Sequence, residues 1–181
     1  MAIRSITPAI NVNTRSPQLR TELLNTFARL DGNLQNVPFR EFVYNGPFPS
    51  DGSLETTFYT HKINYNTLTE IGQSYLIFAA GKTAANGNNK TFKLKLGSTT
   101  LFDSGAVASN DKDWTFFGEL ICNGATAQIF YGNMCYDGSS PIIRTETASE
   151  DFGTSLDLVF TGQGTTDGDI SLYYAKAQLI K

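Results

Sequence analysis

The stretch Phe92-Lys93-Leu94-Lys95-Leu96 limits what this chain can fold into more than any other. Its apolar residues alternate with lysines at a period of two, and only an extended strand turns that period into one dry and one wet face. Gly97-Ser98 breaks the run, Thr99 to Asp103 begins a second strand, and Ser104-Gly105 ends it. The two strands are expected to form an antiparallel hairpin. Turn signals recur at short intervals around it and define further strands: Leu54 to Ile63, Ser74 to Lys82, Trp114 to Cys122, Thr126 to Tyr136, Thr154 to Thr161 and Asp169 to Ile180. No amphipathic helix separates them, which argues against a parallel sheet. Eight strands in roughly 130 residues fit an all-β fold, an antiparallel jelly-roll-like β-sandwich over residues 54–181.

The strands differ in how they divide their faces. Leu156, Leu158 and Phe160 share one side, as do Ile170, Leu172 and Tyr174, and both sets are expected in the core. Trp114 to Cys122 is apolar on both sides: Trp114, Phe116 and Leu120 on one, Phe117 and Ile121 on the other. The following strand repeats the doubling, with Phe130 and Met134 opposed by Ile129 and Tyr131. A lone sandwich leaves one of those sides in water, where so much apolar surface is unfavourable. Phe117, Ile121, Ile129 and Tyr131 are therefore expected at a subunit interface, unless the loop Gly138 to Glu150 folds over them.

The N-terminal part has a different organisation. Residues 1–15 carry Ile3, Ile6, Ile10 and Val12 among Asn and Thr, with no period that would bury a face. They read either as a solvated tail or as an extended arm that orders against a partner. Ser16-Pro17 is a helix start, Ser16 capping free amides and Pro17 occupying the first helical position. Leu23, Phe27, Leu30, Leu34 and Val37 then follow at heptad spacing, and Pro38 ends the pattern. Gly32 weakens this helix by about 1 kcal/mol. A short α-helix over residues 16–38 is marginal alone, so its stripe must be covered by the sandwich or by sister copies. The narrow seam favours copies. Residues 39–53 form a lead-in strand, Phe39 to Tyr44, and a Pro/Gly-rich linker, Asn45 to Gly52.

Composition narrows the function classes. A net charge of -3 with 17% charged residues provides no broad basic surface, so nucleic-acid binding is not expected. The longest apolar patch, Tyr75 to Ala80, is a buried strand and far short of the ~18 residues of a membrane span, so no membrane insertion is expected. The start, MAIRSITPAINVN, lacks an apolar region long enough for a secretory signal, and the mature chain is expected to begin near Met1. Were Asn123-Gly124 a two-residue turn, Cys122 would pair with Ala125 and Cys135 would lie ten residues further along, near the level of Lys112, beyond disulfide reach. Two free, mostly buried thiols follow, as in a reducing compartment. The single histidine, His61, has no partner ligand nearby in sequence and reads as a surface residue, so no metal is expected. Asp167-Gly168-Asp169 reads as turn chemistry. Glu146, Glu150 and Asp151 form an acidic group that a glycosidase could use, but an acidic pair is common in a chain with 17 Asp and Glu residues. Ser104-Gly105 lacks a nucleophile elbow and Gly162-Gln163-Gly164 lies between strands rather than before a helix. The chain reads as non-enzymatic, with no cofactor.

The turn punctuation carries a resemblance. Asn88-Asn89-Lys90 and the alternating strand after it, Gly97-Ser98-Thr99-Thr100, Phe102-Asp103-Ser104-Gly105, the single Trp114, Cys122-Asn123-Gly124-Ala125-Thr126 and Thr161-Gly162-Gln163-Gly164-Thr165 resemble a β-sandwich module of tailed-bacteriophage structural proteins. The resemblance covers roughly residues 54–180. It implies a virion protein assembled in the host cytoplasm, and a homotrimer. The first expectation is a capsid decoration, or cement, protein, whose arm (Ile3, Ile6, Ile10 and Val12) anchors it to the phage major capsid protein or other virion proteins. The second is a tail-fibre or receptor-binding knob, whose loops Thr83 to Asn89, Val107 to Asp113 and Asp137 to Ser149 contact a host-surface glycan or protein. The third is a cellular oligomer with a lectin-like or tumour-necrosis-factor-like sandwich.

Overall fold

The computed structural model describes residues 48–137 and 139–180. The arm residues Ile3, Ile6, Ile10 and Val12, the stripe Leu23, Phe27, Leu30, Leu34 and Val37, and the lead-in Phe39 to Tyr44 lie outside the described residues. Those described form eleven strands in chain order: β1 (Phe48–Pro49), β2 (Thr56–Ile63), β3 (Ser74–Thr83), β4 (Asn89–Leu96), β5 (Thr99–Asp103), β6 (Val107–Ala108), β7 (Asp113–Gly124), β8 (Ala127–Tyr136), β9 (Ile142–Ala148), β10 (Leu156–Gln163) and β11 (Ile170–Ile180). The larger sheet runs β1-β11-β3-β7-β8-β9 and the smaller β2-β10-β4-β5, with β6 on β4. Every pairing is antiparallel. The expected all-β sandwich and its central hairpin, β4 with β5, are present.

The core lies between the sheets and is aromatic. From the smaller sheet come Phe92, Phe102 and Phe160; from the larger come Trp114, Phe116 and Tyr136. Phe160 sits among Phe116, Trp114 and Phe92 at ring-centroid separations of 5.1, 5.9 and 6.2 Å, and Phe92 lies 4.8 Å from Trp114. Opposite Gly118 and Gly132 across β7 and β8, the ring of Phe130 fills the space that two Cβ atoms would have taken.

Several expectations from sequence are corrected. Tyr174 does not join Ile170 and Leu172 in the core: a bulge between Leu172 and Tyr174 advances the phase, so Tyr174 pairs with Ala80 on the opposite side and Ala175 enters the core. The Cys122 register also differs. Gly124 pairs with Ala127, so the turn is Ala125-Thr126; Cys122 opposes Gln128 and Cys135 opposes Thr115. The two thiols are free, Cys122 buried and Cys135 half-buried, and seven positions of strand, roughly 23 Å, separate their levels. His61 is half-buried, with its ring 5.2 Å from Tyr75 and 6.5 Å from Tyr59. Phe48-Pro49, expected in the linker, forms a short edge strand on β11. Finally, Gly138 to Glu150 is not a covering loop, because Ile142–Ala148 pairs along β8 as the edge of the larger sheet.

One end of the sandwich is held by a buried polar network. Lys90 falls in phase with Phe92, Leu94 and Leu96, so its side chain points between the sheets and has no exposed surface. Its ammonium donates to Asn86 O, Asn86 Oδ1 and Ser109 O at 3.0, 2.7 and 2.7 Å. Asp169, also without exposed surface, accepts from Asn86 Nδ2 at 2.7 Å, from Asn88 Nδ2, from the Thr165 and Thr166 amides at 2.7 and 2.9 Å, and from the Thr166 hydroxyl. Burial alone would raise the Asp169 carboxyl, but these donors outweigh it and hold the group well below the ordinary carboxylate range. Burial lowers Lys90, and the Asp169 charge partly offsets that. Residues 84–90, 109 and 165–169 are thus fastened to one another through two buried charges.

Two tests follow from this packing. A Cβ at Gly81 would lie 1.9 Å from Ser171 O and 2.6 Å from the Trp114 ring, whereas one at Gly87 meets nothing within 4 Å. Gly81→Ala is expected to cost about 3 kcal/mol in urea unfolding, and Gly87→Ala less than about 0.5 kcal/mol. Asp169→Asn removes a charge that five donors were arranged to meet and is expected to cost about 3 kcal/mol at neutral pH. Because the folded carboxyl is depressed, its contribution is complete above the ordinary Asp value of about 4 and declines as the pH falls below it. The wild-type stability should therefore slope downward below that pH, and Asp169→Asn should flatten part of the slope.

Candidate functional site

The two outer faces of the sandwich have opposite character. Outside the smaller sheet, Glu55 forms ion pairs with Lys95 and, at 3.7 Å, with Lys93; Lys93 also lies 3.8 Å from Asp103. Thr161 donates to Glu55 at 2.9 Å, and Asp157 stands opposite Lys62. Burial opposes ionisation of Glu55, but the lysines and Thr161 prevail and lower its carboxyl. This face is wet by design of its alternation: Lys93 and Lys95 point out because Phe92, Leu94 and Leu96 point in.

Outside the larger sheet the same alternation delivers apolar side chains. Strand register aligns them in cross-strand rows: Phe78, Phe117, Asn133 and Ile143 in one, Leu76, Glu119, Tyr131 and Thr145 in the next, and Ser74, Ile121, Ile129 and Thr147 in a third. Phe117 and Ile129 are each 37% exposed, Tyr131 40% and Ile143 50%, while Leu76, Phe78 and Ile121 are half-buried. The bulge in β11 adds Tyr174, whose ring meets Phe78 edge-on at 5.6 Å. Directly opposed apolar pairs such as Ile121 with Ile129 contribute to the sheet itself, but each exposed ring or branch still has about 1 kcal/mol to gain from further burial.

The structure brings together all four sandwich residues expected at an interface, Phe117, Ile121, Ile129 and Tyr131, on this one face. It also adds residues that sequence reasoning missed. Leu76 and Phe78 were hidden in the run Tyr75 to Ala80, whose unbroken apolarity was itself the sign of two apolar faces. Ile143 was lost in a segment rich in Ser and Thr behind Pro141, though Ile142-Ile143 and the Thr alternation after it are strand signals. The segment that was the alternative cover for this face enlarges it instead.

The loop ends hold little reactive chemistry. Glu150 caps the 97–99 turn: Thr99 Oγ1 at 2.7 Å and the Ser98 hydroxyl and amide donate to it, and these bonds outweigh burial to lower its carboxyl. Asp151 accepts from Gly153 N at 2.8 Å, and Glu146 stands out on β9. No group of three or more His, Cys, Asp or Glu residues gathers for a metal among the described residues. No described helix is long and apolar enough to cross a membrane. A cleft of about 370 Å³ opens at the end where the Lys90 network lies, lined by Val107, Ser109, Asn110, Lys112, Tyr136 and Ser140 among others. The Ser109 hydroxyl in its wall is buried and has no hydrogen-bond partner among the described residues.

No protein-family model matches the chain, and no curated protein matches it. Among solved structures it is similar to the CBM2 module of the evolved Dit of Lactobacillus casei BL23 phage J-1, at 14% identity and a TM-score of 0.38, over 76% of this chain and 78% of that one. It is also similar to a chain of infectious bursal disease virus, Gt strain, at 15% identity and a TM-score of 0.36, over 80% of this chain. The match spans about a third of the virus chain, 33% of its length. Peanut lectin with a 9mer peptide aligns at 11% identity and a TM-score of 0.32, over 81% of this chain and 94% of the lectin.

Proposed function

We propose that this protein is a structural subunit that acts by association rather than by catalysis, and that the outer face of its larger sheet packs against sister copies. The apolar rows through Phe117, Ile129, Tyr131 and Ile143 carry this reading, set against a charged face on the other side of the same sandwich. A one-sided apolar surface built across four adjacent strands is what a protein–protein contact requires. Joined to the turn motifs that resemble phage structural modules, the finer reading is a virion protein: a homotrimeric decoration protein. It would stabilise the head shell by bridging capsid subunits and burying surface at their joints, with residues 1–15 as the anchor.

A second reading rests on the cleft. Its wall offers Asn110, Ser109, Ser140 and Lys112, a mixture of amide, hydroxyl and ammonium groups suited to a sugar. In that case the protein is a receptor-binding knob for a host-surface glycan.

Three measurements separate these. In sedimentation the wild type is expected at three times 19.8 kDa or a whole multiple of that mass, and Phe117→Ser with Tyr131→Ser is expected to lose the three-fold association while unfolding within about 1 kcal/mol of wild type. A wild type that stays monomeric at micromolar concentration overturns the association reading. For the decoration role, deletion of residues 1–15 should abolish attachment to purified phage heads, with the shell-joint position visible by antibody labelling. For the knob, Asn110→Ala should lower binding to host polysaccharide at least tenfold and leave the mass unchanged.

A further inference from the structure

The edge of the larger sheet offers a surface separate from its outer face. β9 is the terminal strand, paired with β8 on one side only among the described strands. Open edges are normally blunted by prolines, lysines, bulges or shortness, because a row of unpaired amides and carbonyls invites another strand. The other edges here follow that rule. β1 is two residues long and contains Pro49; β2 is bulged at Phe58 and carries Lys62; β5 has five residues and an irregular register against β4. β9 has no proline, lysine, bulge or shortness, and the two charges it carries on its inner side, Arg144 and Glu146, are of opposite sign, so they repel only a strand that fails to match them. It is seven residues long, pairs with β8 without a register shift, and consists of Ile142-Ile143-Arg144-Thr145-Glu146-Thr147-Ala148, mostly β-branched. Residues Ile143 to Thr147 are all exposed.

We propose that β9 pairs antiparallel with β9 of a second copy about a two-fold axis at Thr145, joining two larger sheets into one. The sequence of the strand is self-complementary about that residue. With Thr145 opposite Thr145 of the partner subunit, each Arg144 stands opposite a partner glutamate at position 146, Ile143 opposite threonine and Ile142 opposite alanine. Arg144 and Glu146 share one side of the strand, so the two charge pairs lie side by side there, at the spacing where directly opposed residues interact. Arg144 already donates Nε to Asp103 O at 3.1 Å and Nη1 to Ile143 O at 3.0 Å, which holds the guanidinium in place and leaves further N–H groups to offer. Glu146 makes no hydrogen bond or ion pair among the described residues. On the other side Ile143, Thr145 and Thr147 continue the apolar outer face from one copy into the next. A two-fold contact uses the same patch twice, and the shift of register by one residue would place Arg144 opposite threonine, so the charges also set the register.

The test is a charge swap read as mass. Arg144→Glu alone, or Glu146→Arg alone, places like charges opposite each other twice and is expected to halve the particle mass in sedimentation. The double variant Arg144→Glu with Glu146→Arg restores both pairs across the axis and is expected to restore the wild-type mass, although it too lacks the Arg144 to Asp103 bond. Rescue by the second substitution is therefore not explained by a merely structural role for Arg144. A single variant whose mass equals the wild type, or a folded double variant that stays halved, overturns the proposal. Introducing Phe117→Ser and Tyr131→Ser separates this contact from the outer-face one: the edge-paired dimer should survive in that background, and Arg144→Glu should then reduce it to the monomer.

Discussion

Phe160 is the side chain on which the arrangement of the two sheets depends. It belongs to the smaller sheet yet contacts Trp114 and Phe116 of β7, while Phe92 beside it reaches Trp114 and Tyr136. Rings at separations of 5–6 Å and inclined to one another gain more than buried area, because edge and face carry opposite partial charge. This cluster sets the phase of β7 and β8: once Trp114 and Phe116 face Phe160, Phe117 must face outward, and the pairing of β8 makes Ile129 and Tyr131 follow. The apolar outer face is thus a consequence of how tightly the inner one is locked. A slip of one residue would only exchange two apolar sets, so the hydrophobic pattern of β7 by itself barely specifies its register. What specifies it is shape: Gly81 against the Trp114 ring, and Gly118 and Gly132 beneath Phe130.

Much of this was legible in the chain, and the failures are physical rather than random. Where large side chains alternate with charges, as in β4, or with a second apolar set, as in β7 and β8, strand faces can be assigned from a period of two alone. Tyr174 escaped because a single bulged residue reverses the phase beyond it, and no residue type announces the bulge. The Cys122 turn was misplaced because Asn123-Gly124 is a strong turn signal, yet Gly124, with φ of 154°, extends the ladder instead. Lys90 was in plain phase with Phe92, but a lysine between two sheets is favourable only when carbonyls converge on it, and while Asn86 is four residues away, the carbonyl of Ser109 comes from nineteen residues further on. The stripe and arm before Pro38 concern residues outside those described.

The strength of each contact bears on how such a subunit would assemble. Phe117, Ile129, Tyr131 and Ile143 each retain 37–50% exposure, so completing their burial is worth roughly 4 kcal/mol per subunit. Association itself costs about 4–15 kcal/mol in lost freedom. On the proposed reading the outer face alone would support a weak, reversible contact, and a stable particle would require a second one. An edge strand supplies a different kind of energy, main-chain hydrogen bonds with a fixed direction, at a place the apolar rows already reach through Ile143. Two modest interfaces that meet at one strand close an assembly only when both are satisfied. That arrangement lets subunits stay separate while dilute and lock when a scaffold or high local concentration brings them together.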